Sequence, residues 1–207
     1  MTRALLLDLD RTLVDVQSFT DYEAACGELD EVFGDLPLAD MPESGWRTAT
    51  HRAMAILFSL ADSPQDWARA DEIISKSEMA AIDSAMAMPH LEEFLEAIRA
   101  TPRAIVTLMG QTPAEETCAR FGIKIPVIVG RRARLLPKPA PDQLETAMEI
   151  LGVTADQAVM VGDSPWDAEA AIAAGVGFLG LTNGRPSMFS EATLVVENLA
   201  EATAVLG

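Results

Sequence analysis

Residues 3–10 read Arg3-Ala4-Leu5-Leu6-Leu7-Asp8-Leu9-Asp10, an apolar run that stops at acidic residues. A run this short and this apolar is typical of a strand that is buried on both faces of a parallel sheet. After Pro89 helices and strands alternate, which predicts an α/β fold with a parallel sheet covered by helices. The predicted strands are residues 103–108, 126–129, 157–161, 176–181 and 194–196, and the predicted helices are residues 91–100, 112–121, 139–151, 165–174 and a final helix.

The stretch between residues 18 and 88 has a different character. It is rich in Ala, Glu, Leu, Met and Trp at helical spacing, and Pro37, Pro42 and Pro64 divide it into three or four predicted helices. Because it interrupts the alternation directly after the first strand, we expect it to be an insertion. The predicted domains are an α/β core of residues 1–15 and 89–207 and a helical domain of residues 16–88.

The composition argues against several classes of protein. The 207 residues include 15 Lys and Arg against 32 Asp and Glu, which gives a formal net charge of -17. Since phosphates attract Lys and Arg, this acidity predicts no general binding to nucleic acid or to anionic membrane surfaces. The hydrophobic content of 49% excludes an extended disordered chain, and no apolar stretch approaches the roughly 20 residues that span a bilayer. With two distant cysteines and no signal-peptide pattern, we expect a cytoplasmic protein.

Polar side chains follow the predicted strands at their carboxyl ends. Asp8 and Asp10 follow the first strand, Thr107 lies at the end of the next, and Asp163 follows the strand of residues 157–161. Lys138 precedes a predicted helix. Parallel sheets bind ligands at the carboxyl ends of their strands. We therefore expect these side chains to converge on one edge of the sheet.

Carboxylates that meet at one point repel each other unless a cation joins them. Oxygen ligands select a hard ion, and Mg²⁺ prefers a few carboxylates together with water and substrate phosphate. A carboxylate such as Asp8 can also act as a nucleophile, and a second one two residues later can transfer protons. Thr107 and the backbone N–H groups after it can donate to phosphoryl oxygens, while Lys138 supplies a fixed positive charge. Asp167, one turn into the next helix, can hold Lys138 or a metal-bound water in place.

Four short motifs resemble those of the haloacid dehalogenase superfamily in order and in spacing. They are Asp8-Leu9-Asp10-Arg11-Thr12, Thr107, Lys138-Pro139 and Gly162-Asp163-Ser164-Pro165-Trp166-Asp167. Lys138-Pro139-Ala140-Pro141 and residues 161–175 are similar to the phosphoglycolate phosphatase-like branch, and the helical insertion resembles a C1-type cap. The resemblance implies a Rossmann-like parallel sheet flanked by helices, with an inserted helical cap domain.

The resemblance also implies a role for each motif residue. Asp8 would be the nucleophile and a Mg²⁺ ligand, and Asp10 would be the general acid and base, with its backbone carbonyl on the metal. Asp163 would ligate Mg²⁺, and Asp167 would support the site from behind these ligands. The groups that bind the phosphoryl moiety would be Thr107, Leu108 and Lys138. The phosphatases and phosphomutases of the superfamily keep an Asp at the position of Asp10 and its dehalogenases do not, so the resemblance implies phosphoryl transfer.

Two positions depart from the pattern of the superfamily. Arg11 stands where many relatives have Gly, and a turn that needs a positive φ would strain it, so we expect a side chain that points outward. Leu108-Met109-Gly110 follows Thr107, where related phosphatases often have a polar residue such as Asn. The backbone donors remain, but a side-chain contact to substrate is lost. The sequence therefore does not identify a particular substrate.

The insertion offers side chains that could meet the leaving group of a substrate, although a solvated helix face is the other interpretation. These candidates are Arg47, His51 and Arg52. We expect Trp46 and Trp67 to pack in the core of the insertion. The basic cluster Arg131-Arg132-Ala133-Arg134 is expected to form a solvated loop.

The sequence thus predicts a Mg²⁺-dependent phosphatase that acts on a small phosphorylated metabolite, and three alternatives stay open. A phosphomutase would use the same scaffold and would depend on a sugar bisphosphate. A phosphonate hydrolase would need a Schiff-base lysine in the insertion, where Lys76 is the only lysine. A binding or regulatory module would have lost turnover. Both a monomer and a homodimer fit the sequence, since no heptad seam is evident.

Overall fold

The computed structural model describes residues 4–189 and 194–206, in which helices and strands alternate as predicted. The strands are β1 (Ala4–Leu7), β2 (Val14–Asp15), β3 (Met86–Ala87), β4 (Arg103–Gly110), β5 (Ile128–Arg131), β6 (Ala158–Gly162), β7 (Gly177–Leu181) and β8 (Leu194–Val196). The helices are α1 (Tyr22–Phe33), α2 (Thr48–Ser59), α3 (Pro64–Ala81), α4 (Leu91–Ala97), α5 (Gln111–Arg120), α6 (Asp142–Leu151), α7 (Pro165–Ala174) and α8 (Leu199–Leu206). Among these described helices, none combines the length and the apolar character that a membrane crossing requires.

Six of the described strands form one parallel sheet in the order β5-β4-β1-β6-β7-β8. β1 lies between β4 and β6, and all of its residues are buried, as expected for a strand that is covered on both faces. Leu5 and Leu7 pack in the apolar cluster on one face of the sheet, and Leu6 packs in the cluster on the other. The predicted α/β fold with a parallel sheet is confirmed.

Helix ends follow the local signals in the sequence. Gly152 and Gly175 end α6 and α7 with φ angles of 67° and 69°, a left-handed conformation that glycine adopts without strain. α7 begins at Pro165, and the side chain of Ser164 caps it by accepting a hydrogen bond from the backbone N–H of Asp167. Because β6 ends at Gly162 and α7 begins at Pro165, the start of α7 lies at the carboxyl end of β6.

The helical insertion consists of α1, α2 and α3 within residues 16–88, all of which the structure describes. Its two ends lie side by side because β2 and β3 pair antiparallel, with Val14 opposite Ala87. The three helices share an apolar cluster in which Trp67 is buried as expected, and Trp166 of α7 is buried in the same cluster. This tryptophan packs the insertion against the sheet domain. The residue numbers given for the domain boundaries stay a prediction.

Candidate active site

The register of the sheet brings the predicted motif residues to one edge. The last residue of β1 lies opposite Ile105 of β4 and Val161 of β6. Asp8 and Asp163 directly follow β1 and β6, and Thr107 lies two residues after Ile105, among the last four residues of β4. The three strands are neighbours in the sheet. All three residues are buried. The convergence expected from the strand pattern is present in the fold.

Lys138 is fully buried between two carboxylates. Its Nζ atom lies 2.8 Å from Oδ1 of Asp8 and 2.5 Å from Oδ1 of Asp167, and it donates to the carbonyl oxygen of Val106 at 2.9 Å. Burial lowers the pKa of this amine, but the charges of Asp167 and Asp8 outweigh burial and raise the pKa above its usual value. Lys138 is therefore a fixed cation beside Asp8.

Gln143 of α6 also belongs to the site, and the sequence motifs did not predict it. It is fully buried, its Oε1 accepts from the backbone N–H of Lys138 at 3.0 Å, and its Nε2 donates to the carbonyl oxygen of Thr107 at 2.9 Å. It thereby ties the segment that carries Lys138 to the end of β4. The one signal in the sequence is a polar residue on a helix face that otherwise buries Leu144, Ala147 and Met148.

Asp8, Asp163 and Asp167 form a buried group of carboxylates whose oxygens lie within 4.8 Å of one another. Burial raises the pKa of Asp8 well above its usual value, and the charges of Asp167 and Asp163 raise it further, although Lys138 lowers it. Burial and the charge of Asp167 also raise the pKa of Asp163 to about 6. Buried oxygen donors whose negative charges repel one another are suited to a hard divalent cation.

Asp167 has both carboxylate oxygens engaged by protein donors. Its Oδ1 accepts from Lys138, and its Oδ2 accepts from the backbone N–H of Ser164 at 3.0 Å and from the hydroxyl of Ser164 at 2.6 Å. The carboxylate reaches this position because residue 162 is Gly162, where an added Cβ would lie 2.5 Å from Cγ of Asp167. Asp167 therefore lies behind Lys138, where it can hold the amine in place.

Asp10 has a different environment from the other carboxylates. Its Oδ1 accepts from the backbone N–H groups of Val16 at 2.8 Å and Gln17 at 3.0 Å, and its carboxylate is not part of the group around Asp8. Burial raises its pKa to about 7, although the two backbone hydrogen bonds lower it. A carboxyl group that titrates near neutral pH is suited to proton transfer.

Arg11 does occupy a turn position with a positive φ, at 65°. The expectation that its side chain points outward is wrong, because its Nη1 lies 3.3 Å from Oε1 of Gln17 and its Nε lies 4.0 Å from Oδ2 of Asp163. Arg185 donates from Nη2 to the same Oδ2 at 2.6 Å. The group of Asp8, Asp163 and Asp167 is negatively charged and attracts both guanidinium groups. They contact Asp163, the one member of this group that Lys138 does not contact.

A cavity opens over this edge of the sheet, between the insertion and the sheet domain. The motif residues that line it are Asp8, Asp10, Thr107, Lys138, Asp163, Ser164 and Asp167. Its other walls are formed by Gln17, Tyr22, Trp46, Thr50, Met54, Leu108 and Met109. The predicted motif residues thus share one cavity with side chains of α1 and α2.

The candidates chosen from the insertion are not among the described residues that line this cavity. Arg52 is paired with Asp30, with Nη2 2.6 Å from Oδ1, and both side chains are partly exposed. The Nδ1 of His51 lies 3.0 Å from the hydroxyl of Ser44. Arg47 lines a neighbouring cleft that shares wall residues with the cavity.

The sequence-based candidates in the insertion were chosen for their charge. That choice overlooked the uncharged residues of the insertion that line the cavity. Trp46, Thr50 and Met54 recur every four residues, which is the spacing of one helix face, and this spacing was a usable signal. Trp46 was expected only in the core of the insertion. It does pack, since its ring centroid lies 4.6 Å from that of Trp166, but it also lines the cavity.

The basic cluster at the end of β5 differs from the solvated loop that we expected. Arg132 and Arg134 are exposed, but Arg131 is the last residue of β5 and is fully buried. It forms an ion pair with Glu78 of α3, with Nη1 2.7 Å from Oε1. A single basic run therefore contains both surface residues and a buried ion pair.

Comparisons with known proteins agree with this architecture. Residues 2–175 match a family model described as a haloacid dehalogenase-like hydrolase. A phosphoglycolate phosphatase of Rhodospirillum rubrum is 28% identical over 193 residues, which cover 85% of this chain and 78% of that protein. CbbY from Rhodobacter sphaeroides, solved in complex with phosphate, has a TM-score of 0.71 at 20% identity, over 97% of this chain and 96% of the other. A mutant of CbbY in complex with xylulose-(1,5)bisphosphate has a TM-score of 0.72 at 19% identity, with the same coverage of 97% and 96%.

The structural likenesses show the fold, and the family match extends over most of the chain. It spans the Asp8, Thr107, Lys138 and Asp163 motifs, which are the residues on which the predicted resemblance depends. The prediction of a phosphatase is confirmed by this match together with the name of the relative. The chain therefore belongs to the haloacid dehalogenase-like hydrolase family.

Proposed function

We propose that this phosphatase hydrolyses a small phosphomonoester through an aspartyl phosphate formed on Asp8. The observation that carries the proposal is the position of Asp8, held at 2.8 Å by Lys138 in a cavity that Asp10 and the hydroxyl of Thr107 also line. The Rhodospirillum relative is named for a phosphorylated metabolite, and the Rhodobacter structures contain phosphate or a sugar bisphosphate. These names support a small phosphorylated substrate.

The reaction divides into two steps in which this chain supplies the nucleophile and the proton carrier. The Asp8 oxygen that Lys138 does not hold attacks phosphorus, the ester P–O bond breaks, and Asp10 protonates the departing alcohol oxygen. A pKa of about 7 suits Asp10 to this exchange. Water then attacks the phosphorus of the aspartyl phosphate, Asp10 accepts the proton of that water, and phosphate leaves with Asp8 restored. Thr107 and the backbone N–H groups after it donate to the phosphoryl oxygens, and Lys138 offsets their charge.

Mg²⁺ is the ion that we propose for this site. Asp8, Asp163 and the backbone carbonyl of Asp10 would hold it, and the buried oxygen-only donor set fits such an ion. When bound, the ion supplies positive charge to the phosphoryl oxygens. Asp167 would keep Lys138 in place beside it.

Removal of the metal is expected to stop turnover. EDTA is expected to lower hydrolysis of para-nitrophenyl phosphate to the buffer background, and excess Mg²⁺ is expected to restore it. Without substrate, Mg²⁺ at 100 times its Kd is expected to raise the free energy of unfolding by about 2.7 kcal/mol, measured as a higher melting temperature. Asp163→Asn is expected to remove most of that shift, whereas Asp62→Asn at an exposed position is expected to keep it. Hydrolysis that persists in EDTA would contradict the metal assignment.

The walls of the cavity favour a leaving group without a second negative charge. Among the described residues that line the cavity, Lys138 is the one cation, and Asp8 and Asp167 already pair with it. Arg11 and Arg185 contact the lining residue Asp163 but do not line the cavity themselves. The facing wall is formed by Trp46, Met54 and Leu108 with Tyr22 and Thr50. A carboxylate in the leaving group would be buried there without an opposite charge, which costs free energy. We therefore propose an ester of a neutral alcohol with an apolar face.

Phenyl phosphate is expected to exceed phosphoglycolate in kcat/KM by about 10- to 100-fold, because leaving a buried polar group unpaired costs about 1–3 kcal/mol. Both esters are to be measured with the same Mg²⁺ concentration. Met54→Arg is expected to bring the two kcat/KM values closer together, because the arginine gives the carboxylate of phosphoglycolate an opposite charge. Met79→Arg, at an exposed position on α3, is the matched control and is expected to leave the ratio of the two values unchanged. A higher kcat/KM for phosphoglycolate than for phenyl phosphate in the unsubstituted protein would exclude this substrate class.

The phosphonate hydrolase alternative gains no support from the position of Lys76. The side chain of Lys76 is exposed, and its Nζ lies 2.9 Å from Oε1 of Glu28. It is not among the described residues that line the cavity. A Schiff base on Lys76 would therefore form on the outer surface of the insertion, away from Asp8.

A further inference from the structure

A buried ion network joins the insertion to the strand that carries Thr107. The guanidinium of Arg131 lies between two carboxylates of α3, with Nη1 2.7 Å from Oε1 of Glu78 and Nε 2.8 Å from Oδ1 of Asp71. The side chain of Arg131 is 0% exposed and that of Glu78 is 1% exposed. A buried ion pair contributes little to stability on average, because desolvation offsets the attraction. Stability alone therefore does not explain this ion pair, and its position beside the candidate active site indicates a role in function.

The network holds the backbone directly after Thr107 at two points. Arg131 donates from Nη1 to the carbonyl oxygen of Leu108, and Oε2 of Glu78 accepts from the backbone N–H of Gly110 at 3.0 Å. Residue 110 can approach α3 this closely because it is glycine, and an added Cβ would overlap the hydroxyl of Ser75. The segment from Leu108 to Gly110 is thus held by two side chains that are not among the described residues lining the cavity.

Because the peptide group is planar, these contacts also set the direction of the next N–H group along the chain. The C=O of one residue and the N–H of the next lie in one plane and point in opposite directions across a trans peptide. When Arg131 holds the carbonyl of Leu108, the N–H of Met109 must point the other way. That N–H donates a hydrogen bond to Oγ1 of Thr107 at 3.2 Å, and both Thr107 and Met109 line the cavity.

We propose that Arg131 is a positioning residue, which orients the Leu108–Met109 peptide so that the N–H of Met109 donates to Oγ1 of Thr107 and holds that hydroxyl toward the phosphoryl group. The inference rests on the proposed function of this site. Glu78 keeps Arg131 in place, and it also accepts from the hydroxyl of Tyr22 at 3.3 Å, so the same network reaches the wall formed by α1. Arg131 itself is not among the described residues that line the cavity, so it would act through the backbone that it holds.

Arg131→Lys tests the proposal, because an ammonium keeps the charge beside Glu78 but cannot bridge two carboxylates and a carbonyl with a planar fork. We expect the inhibition constant of inorganic phosphate to rise about tenfold or more and kcat/KM to fall about 10- to 100-fold, as for the loss of one phosphate-binding donor. Mg²⁺ binding, followed by the melting temperature, is expected to stay within about twofold, since Asp8 and Asp163 are untouched.

The matched control is Arg120→Lys. Arg120 also donates to backbone carbonyls, those of Ile82 at 3.0 Å and Asp83 at 2.9 Å, but it lies outside the cavity walls. It is expected to lower the melting temperature without changing the inhibition constant of phosphate. A second variant covers the case in which Arg131→Lys unfolds the protein by leaving Glu78 without a partner. The double variant Arg131→Met with Glu78→Leu replaces the pair by apolar groups, a change that is often neutral for stability. We expect the same loss of phosphate affinity from it.

An NMR measurement distinguishes a loss of backbone positioning at Met109 from a general loss of rigidity in the protein. In protein labelled with ¹⁵N-methionine, inorganic phosphate is expected to shift the amide signal of Met109, assigned with Met109→Leu, and Arg131→Lys is expected to abolish that shift. An unchanged shift and inhibition constant in both Arg131 variants would overturn the positioning role while the unsubstituted enzyme stayed active. If the unsubstituted protein neither hydrolyses any ester nor binds phosphate, the proposed function fails and the inference fails with it.

Discussion

Asp8→Asn is expected to lower phosphatase turnover by at least about 10⁴-fold, since removing a catalytic nucleophile leaves only the contribution of binding and charge stabilisation. The amide of Asn cannot form an acyl phosphate, although its oxygen can still accept from Lys138. The melting temperature is expected to stay the same or to rise. Burial and the neighbouring carboxylates raise the pKa of Asp8, so the folded protein disfavours its ionised form at neutral pH. Loss of activity with retained stability is the result to look for, in rates of ester hydrolysis and in thermal unfolding.

Asp62→Asn is the control for this variant, because Asp62 is an exposed aspartate outside the cavity. It is expected to match the unsubstituted protein in both measurements. A residual rate in Asp8→Asn within about tenfold of the unsubstituted enzyme would assign the nucleophile elsewhere. The phosphomutase alternative also requires Asp8, so it is distinguished by the product. Transfer to an added sugar phosphate, with a dependence on a sugar bisphosphate, would favour the mutase over release of inorganic phosphate.

Local sequence signals account for most of the fold. The helices that end at Gly122, Gly152 and Gly175 were predicted because a glycine with a positive φ stops a helix whatever surrounds it. The edge strand was predicted at residues 126–129 but lies at Ile128–Arg131, because its bounds depend on pairing with β4, which no local signal contains. Pairing partners distant in the sequence therefore decide where a short strand begins.

The parallel sheet explains why the motif residues were predictable as a group. Once strands are parallel, residues at or near their carboxyl ends must lie at one edge, so Asp8, Thr107 and Asp163 converge without further information. The side chains of the insertion carry no such constraint. Which face of α2 lies toward the cavity depends on how the insertion packs on Trp166, and the charge of Arg52 could not reveal it.

Arg131 illustrates the same limit for a charged residue. In the sequence it is one of three arginines in a row of four residues, and nothing local separates it from its exposed neighbours. Its burial depends on Asp71 and Glu78, which lie on one face of α3 in the insertion. The partners come from a different part of the chain, so only the packed structure shows that this arginine is paired.

Lys138→Met is expected to be the most damaging change to stability among the site residues. Nζ of Lys138 lies 2.8 Å from Asp8 and 2.5 Å from Asp167, and the substitution leaves both carboxylates buried without that cation. Breaking a buried pair by removing one partner costs about 3–5 kcal/mol. For a protein of this size that loss lowers the melting temperature by roughly 6–20 °C. Turnover is expected to fall by about 10²–10³-fold, because a preorganised donor to the phosphoryl group is lost.

Lys124→Met removes an exposed lysine and is the control, with no expected change in melting temperature or rate. The pH dependence supplies a second check on the cause. Burial raises the pKa of Asp8, and Lys138 is the group that lowers it, so Asp8 takes up a proton more readily in Lys138→Met. If the unpaired charge of Asp8 destabilises this variant, protonation removes that charge, and the difference in melting temperature from the unsubstituted protein is expected to shrink as the pH falls from 8 to 5. A difference that is independent of pH would assign the loss to packing of the lysine side chain, and an unchanged rate would remove Lys138 from the proposed site.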